Sequence, residues 1–158
     1  LSMGGALTLW MAAQHPEACG IVCINPATQP QPQEVIDMLQ GMIDGGVETT
    51  DGIGSDIADP NVHETAYSGT PLAAMKSFLS DGLAPLAPRY PSIKMPMLLF
   101  TSVQDHVVQP SDSDAVAATY GGPVERVMLE RSYHVATQDY DKDIIFAGAV
   151  AFVHRVTA

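Results

Sequence analysis

Three residue types that together perform nucleophilic catalysis occur at separate points of the chain: Ser2, Asp105 and His134. A serine hydroxyl is a weak nucleophile unless a base removes its proton during attack, and an imidazole that titrates near neutral pH is suited to that task. A carboxylate beside the imidazole fixes its tautomer and stabilises the imidazolium that forms. The three residues therefore predict a nucleophile, a base and an orienting acid, provided that the fold brings them together.

The elements that must position these residues alternate between helices and strands. Short apolar runs at 20–24, 97–101 and 124–130 are typical of buried parallel strands. Helical patterns occur at 4–15, 34–43, 70–86, 110–120 and, in the last helix, from about 138 to 155. This order predicts an α/β fold in which parallel strands are flanked by helices.

Each candidate residue lies next to the end of a predicted element. Asp105 comes four residues after the strand at 97–101, and His134 lies in the loop after the strand at 124–130. Ser2 lies just ahead of the first helix, at the same edge of the sheet. Because ligands of open parallel sheets gather at the carboxyl ends of the strands, we predict that the three side chains lie close together.

Each of these residues also has a role that needs no catalysis. Ser2 is a common helix N-cap residue, Asp105 can turn the chain after a strand, and His134 can be an ordinary hydrogen-bonded loop histidine. His106 is a competing base, although it adjoins the candidate acid in the sequence. The residue types alone leave these alternatives open.

Residues 28–70 differ in composition from the rest of the chain. A polar, proline-bearing linker precedes the helix at 34–43, and a stretch rich in Gly, Asp and Thr follows at 44–61. This favours a core of residues 1–27 and 71–158, with a lid or cap insertion formed by residues 28–70. The acidic stretch lacks the spacing of a calcium-binding loop, so we interpret it as a polar loop.

Composition argues against several classes of partner. Among 158 residues, 7 are basic and 18 acidic, which gives a formal net charge of −11. Such a chain lacks the basic surface that nucleic acids and anionic membranes require. No apolar run approaches the ~18–20 residues of a membrane span, and no leader pattern is visible, so we expect no stable membrane anchor. No zinc spacing or nucleotide motif occurs, which predicts that neither a metal nor a cofactor is used.

The two cysteines, Cys19 and Cys23, lie four residues apart in a predicted buried strand. That spacing corresponds to ~13 Å along a strand, too far for a disulfide, whose Cα atoms lie within ~7 Å. We therefore expect reduced core thiols, which favours a cytoplasmic setting.

Three stretches of the chain carry a resemblance to a known family: LSMGG at 1–5, PMLLFTSVQDHVVQP at 96–110 and LERSYHVATQDYDKDIIFAGAVAFV at 129–153. They resemble the carboxylesterase and monoacylglycerol-lipase branch of the α/β-hydrolase superfamily, over its C-terminal half from the nucleophile elbow onward. In the loop that carries the acid (the acid loop), the matching positions are Asp105, Val108 and Pro110. In the loop that carries the base (the base loop), which precedes the last helix, they are Ser132, His134 and Val135.

The resemblance implies a serine hydrolase that cleaves carboxylic esters, either monoacylglycerols or short to medium acyl esters, through an acyl-enzyme intermediate. It assigns Ser2 as nucleophile, Asp105 as acid, His134 as base and the backbone N–H of Met3 as an oxyanion donor. It implies a small-molecule acyl ester as substrate and no cofactor. The family's strand before the elbow, and its loop with the second oxyanion donor, have no counterpart in this sequence.

Other readings stay open beside the esterase. One is an inactive, truncated hydrolase fragment that self-associates, and the others are a thioesterase or a haloperoxidase built on the same triad. A sheet of three strands leaves an apolar edge unpaired, which is an aggregation hazard. We therefore expect either a homo-oligomer or a missing N-terminal half to cover that edge.

Overall fold

The computed structural model describes residues 1–158 throughout. Its helices and strands are α1 (Ser2–Gln14), β1 (Ile21–Ile24), α2 (Gln33–Asp44), β2 (Thr49–Asp51), β3 (Gly69–Pro71), α3 (Leu72–Ser77), α4 (Ala84–Leu86), β4 (Met97–Ser102), α5 (Pro110–Thr119), β5 (Val124–Leu129) and α6 (Lys142–Thr157). A π-helical segment, Phe78–Leu83, joins α3 to α4, and 3₁₀ turns occupy Ala87–Ser92 and Ala136–Gln138.

The main sheet is parallel and has the strand order β1-β4-β5. All six residues of the central strand β4 are buried, as a continuous apolar run predicts for a strand covered on both faces. The α/β architecture predicted from the sequence is therefore confirmed. β2 and β3 form a separate antiparallel pair within the chain segment that connects β1 to α3.

Alternate residues of β4 point to opposite faces of the sheet and enter two different core clusters. Met97 and Leu99 pack in the cluster that includes Leu9 of α1. Leu98 and Phe100 pack in the cluster that includes Phe152 of α6. The helices on both faces thus hold β4 between two apolar layers and fix the strand end that leads to the candidate acid.

The expected helix at 70–86 is wrong at its start. Thr70 and Pro71 belong to β3 and pair with β2, and the first helical residue is Leu72. The N–H of Leu72 donates to the carbonyl of Glu48, so the chain enters the helix from an extended, paired conformation. The partner strand comes from the Gly- and Asp-rich stretch, whose composition gave no sign of pairing.

The last helix also begins later than expected, at Lys142 rather than near 138. The backbone of Asp139 is extended, and its carboxylate accepts hydrogen bonds from other loops instead of lying in a helical first turn.

The prediction that both cysteines are buried core thiols is wrong for Cys19, which is exposed and precedes β1, while Cys23 is buried in β1. No helix combines the length and apolar character needed to cross a membrane.

Candidate active site

The candidate nucleophile, Ser2, is the first residue of α1 and has a left-handed backbone with φ +52°. Its N–H donates to the carbonyl of Asn25 at 3.2 Å, and its carbonyl accepts from the N–H of Ala27 at 3.2 Å. These bonds attach Ser2 to the carboxyl end of β1. A left-handed residue other than glycine is strained, and strained residues concentrate at functional turns. The N-cap alternative for Ser2 is wrong, since Leu1 is the N-cap and no side-chain cap bond is made.

Asp105 and His134 form a buried pair. Nδ1 of His134 lies 2.8 Å from Oδ2 of Asp105, and their side chains are 8% and 1% exposed. The other carboxylate oxygen of Asp105 accepts from the N–H groups of Val107 and Val108, both at 2.8 Å. The carboxylate is therefore fixed by its own loop and is placed to accept a hydrogen bond from Nδ1–H of His134, the tautomer in which Nε2 is unprotonated and suited to a base.

His106, the competing base, is directed elsewhere. Its Nδ1 lies 2.8 Å from Oδ1 of Asp56, and its side chain is 60% exposed. The ring also packs edge-on against Tyr133, with centroids 4.5 Å apart. The structure thus brings the candidate acid to His134 and not to its neighbour in the sequence.

Ser2 and His134 line the same cavity, which has a volume of about 350 Å³. Much of its remaining wall comes from the segment between β1 and α3, including Ile53, Glu64 and Tyr67. The wall is mainly apolar and carries a single carboxylate, that of Glu64. The geometry therefore places the candidate nucleophile and base at one concave, partly apolar surface.

The candidate oxyanion donor, Met3, lies in the first turn of α1 beside Ser2. Backbone N–H groups in the first turn of a helix have no intrahelical acceptor and point out of the helix end. An anion placed at this helix end is stabilised by such groups and by the helix dipole. No group of three or more His, Cys, Asp or Glu side chains is arranged to hold a metal ion.

Asn25 is a site residue that the sequence analysis did not single out. It is buried, has φ +44°, and directly follows β1. Its Nδ2 donates to the carbonyl of His134 at 2.8 Å and to Oγ of Ser102 at 2.9 Å, while its Oδ1 accepts from the N–H of Ser102 at 2.8 Å. Asn25 thus ties the ends of β1 and β4 to the base loop. The available signal was an asparagine at the end of a strand, since asparagine tolerates left-handed backbone.

Sequence reasoning also missed Asp56 and Asp139 as residues that support the site. Asp56 lies in the acidic stretch that was interpreted as a polar loop. The Asp56 carboxylate accepts from the backbone N–H of His134 at 3.0 Å. Partial burial raises the pKa of Asp56, but hydrogen bonds from His106 and from the His134 backbone outweigh it and hold the pKa below its usual value. The acidic stretch is therefore part of the site's support.

A parallel sheet with helices on both faces, and a Ser–Asp–His arrangement at its carboxyl edge, define an α/β-hydrolase fold in its C-terminal portion. The predicted resemblance to the carboxylesterase and monoacylglycerol-lipase branch is confirmed by comparison with known proteins. No protein-family model matches the chain.

Over 155 residues the chain is 39% identical to a thermostable monoacylglycerol lipase from Bacillus sp. (strain H-257), a match that covers 96% of this chain and 60% of that protein. A solved structure of the metagenome-derived lipolytic enzymes LipS and LipT is 39% identical, with a TM-score of 0.88 over 98% of this chain and 63% of that one. A thermostable carboxyl esterase from Bacillus coagulans, 15% identical, shares the fold with a TM-score of 0.74 over 99% of this chain and 63% of its own. The chain thus spans about 60% of the length of the curated relative it matches.

Proposed function

We propose that the chain carries the nucleophile, acid and base of a serine hydrolase that cleaves carboxylic esters. The observation that carries the proposal is the buried 2.8 Å contact between Asp105 and His134, beside a cavity that His134 shares with Ser2. The lipolytic activities named for the two relatives at 39% identity support the same reaction.

In the proposed mechanism, Oγ of Ser2 attacks the ester carbonyl carbon while Nε2 of His134 takes the hydroxyl proton. The negative charge that develops on the carbonyl oxygen is stabilised by the N–H of Met3. His134 then returns the proton to the alcohol oxygen, the C–O bond breaks, and the acyl group stays on Ser2. A water molecule, deprotonated by His134, attacks this acyl-enzyme and releases the acid with Ser2 regenerated.

The proposed substrate is a monoacylglycerol or another short- to medium-chain acyl ester. The cavity of about 350 Å³ is open to solvent, and its exposed apolar residues Ile53, Ala66 and Tyr67 offer a contact surface to an acyl chain of modest size. The name of the Bacillus relative supports a monoacylglycerol. We propose further that residues 28–70 act as a lid or cap insertion, because several of them line this cavity.

We also propose that the outer edge of β1 is covered in the working enzyme, either by a second copy or by an N-terminal half. β1 pairs with β4 on one side only, and the backbone of Ser2 runs parallel to Pro26 at the end of its other side. The relatives' greater length supports the second arrangement. A cytoplasmic setting is proposed on the ground that Cys19 and Cys23 are both free thiols.

The experiment compares the wild-type chain with Ser2→Ala on a p-nitrophenyl acyl ester and with a fluorophosphonate probe. We expect turnover and covalent labelling of the wild type, and loss of both in the variant, which lacks the attacking oxygen. His154→Gln is the matched control, because His154 is exposed near the end of α6 and does not line the cavity, and it retains labelling. A wild-type chain that is folded by circular dichroism yet neither hydrolyses nor labels contradicts the proposal.

A further inference from the structure

One segment of the chain, residues 53–59, contacts both the cavity and the loop of the candidate base. Ile53 and Gly54 line the cavity. Two residues later, the carboxylate of Asp56 lies behind the base loop, where Oδ2 accepts from the N–H of His134 at 3.0 Å. The carbonyl of Asp56 accepts from the N–H of Val135 at 3.1 Å, so the backbone as well as the side chain of Asp56 holds this loop.

The same carboxylate also holds the acid loop. Oδ2 of Asp56 accepts from the N–H of His106 at 3.2 Å, and its Oδ1 lies 2.8 Å from the Nδ1 of that residue. His106 directly follows Asp105 in the sequence. Asp56 therefore bridges the two loops whose side chains meet in the pair between Asp105 and His134.

The base loop, between β5 and α6, also supplies a carboxylate that accepts hydrogen bonds from the segment at 53–59. Asp139 is buried and accepts from the N–H groups of Ala58 and Asp59, at 2.7 and 3.1 Å, and from the N–H of Tyr133 at 2.9 Å. The segment at 53–59 and the base loop thus each supply a carboxylate that accepts from backbone N–H groups of the other. Hydrogen bonds to charged acceptors are about twice as strong as neutral ones, so these bonds hold the segment firmly against the base loop.

We propose that Asp56 is a positioning residue that couples the cavity wall at 53–54 to the orientation of His134 toward Ser2. The proposal rests on the proposed function, because it gives His134 the role of base. The Asp56 carboxylate touches neither Ser2 nor the cavity, so it acts on the reaction only through the two loops that carry His134 and Asp105. Gly54, with φ +76°, lies between the cavity-lining residue Ile53 and Asp56, in a backbone conformation that other residues adopt with strain.

The first test measures steady-state hydrolysis of a p-nitrophenyl acyl ester by the full chain carrying Asp56→Ala, Asp56→Asn or Asp44→Ala. A misplaced base lowers turnover, so we expect kcat of Asp56→Ala to fall about 10–100-fold with KM within about 3-fold. Asp56→Asn keeps an oxygen that accepts from the N–H of His134, and we expect it to restore kcat to within about 5-fold of wild type. Asp44→Ala is the control, because the Asp44 carboxylate is exposed at the end of α2 and bonds only to Gln40.

The second test does not depend on activity. In the wild type, the Nδ1 proton shared by His134 and Asp105 is expected as a downfield proton resonance in the NMR spectrum. We expect Asp56→Ala to shift or broaden this resonance, and Asp44→Ala to leave it unchanged. Equal kcat values for Asp56→Ala and Asp44→Ala, or an unchanged resonance in a folded Asp56→Ala protein, overturn the proposal. If the wild type hydrolyses nothing, the proposed function fails, and the resonance still decides whether Asp56 positions His134.

Discussion

At the scale of single residues, the orientation of His134 depends on the charge of Asp105. We expect Asp105→Asn to lower kcat by about 10³–10⁴-fold, because an amide NH₂ directed at Nδ1 forces the imidazole to carry its proton on Nε2. One oxygen remains to accept from the N–H groups of Val107 and Val108, so the loop is retained.

Ester-hydrolysis kinetics, together with circular dichroism, check this expectation. Asp114→Asn is the control, since Asp114 is an exposed acid paired with Arg126 at 2.6 Å. It is expected to change kcat by less than about 2-fold, because exposed pairs contribute little. Equal kcat values for the two variants contradict the role of Asp105.

Substitution of the buried Asn25 is expected to lower the free energy of unfolding. Asn25→Asp keeps an acceptor for the N–H of Ser102 but places a carboxylate oxygen against the carbonyl of His134, where Nδ2 now donates at 2.8 Å. Burying an unpaired charge in this way is expected to lower the free energy of unfolding by about 2–4 kcal/mol. Urea denaturation measures the change, with Gln31→Glu, at an exposed position, expected within about 0.5 kcal/mol of wild type. Equal losses for the two variants contradict the expectation.

The two thiols are expected to differ in reactivity. Burial raises the pKa of Cys23 to about 12, so little thiolate forms near neutral pH, while Cys19 is exposed. Ellman's reagent at pH 8 is expected to react rapidly with one thiol per native chain and with the second only on unfolding. Cys19→Ser is expected to remove the rapid phase. A rapid phase that persists in this variant contradicts the assignment.

At the scale of elements, Asp56 makes the stability of the base loop depend on pH. Because the pKa of Asp56 is lower in the folded than in the unfolded chain, its stabilisation is present above the unfolded pKa of about 3.9 and is lost as the pH falls through the folded value. The difference in Tm between wild type and Asp56→Asn is therefore expected to shrink as the pH falls from 5 toward 3. Circular dichroism melts at several pH values measure it, and a difference that widens toward acid contradicts the sign.

The elements also show how far sequence reasoning reaches. β4 was predicted because a strand covered on both faces needs an unbroken apolar run, and Asp105 followed because catalytic loops lie beyond such strands. β3 and the start of α6 were missed, because Thr70 pairs with a strand that is distant in sequence and Asp139 bonds to N–H groups across a loop. Asp56 was missed for the same reason. Local composition records helix and strand preference, whereas these residues are defined by tertiary hydrogen bonds.

At the scale of the whole molecule, exposed apolar surface favours self-association of the chain, whereas its net charge opposes it. α1 carries Met3, Leu7 and Met11 at four-residue spacing, and each is more than half exposed. On α6, Phe146, Val150 and Val153 are likewise half exposed or more, and β1 has a free edge. Apolar stripes of this kind mark surfaces that bind other polypeptide. A formal charge of −11 keeps chains apart, but salt screens it over about 8–10 Å at 0.1–0.15 M.

We therefore expect the 158-residue chain to self-associate increasingly as salt is raised, which sedimentation velocity at several ionic strengths measures. The variants Leu7→Lys and Val150→Lys distinguish apolar attraction between chains from charge repulsion. Each reduces the net negative charge, so repulsion alone favours more association, whereas loss of an apolar stripe favours less. We expect less. Gln33→Lys, on an exposed position of α2, makes the same charge change away from the stripes and is expected to increase association slightly. Equal association for Leu7→Lys and Gln33→Lys contradicts an apolar docking role for α1.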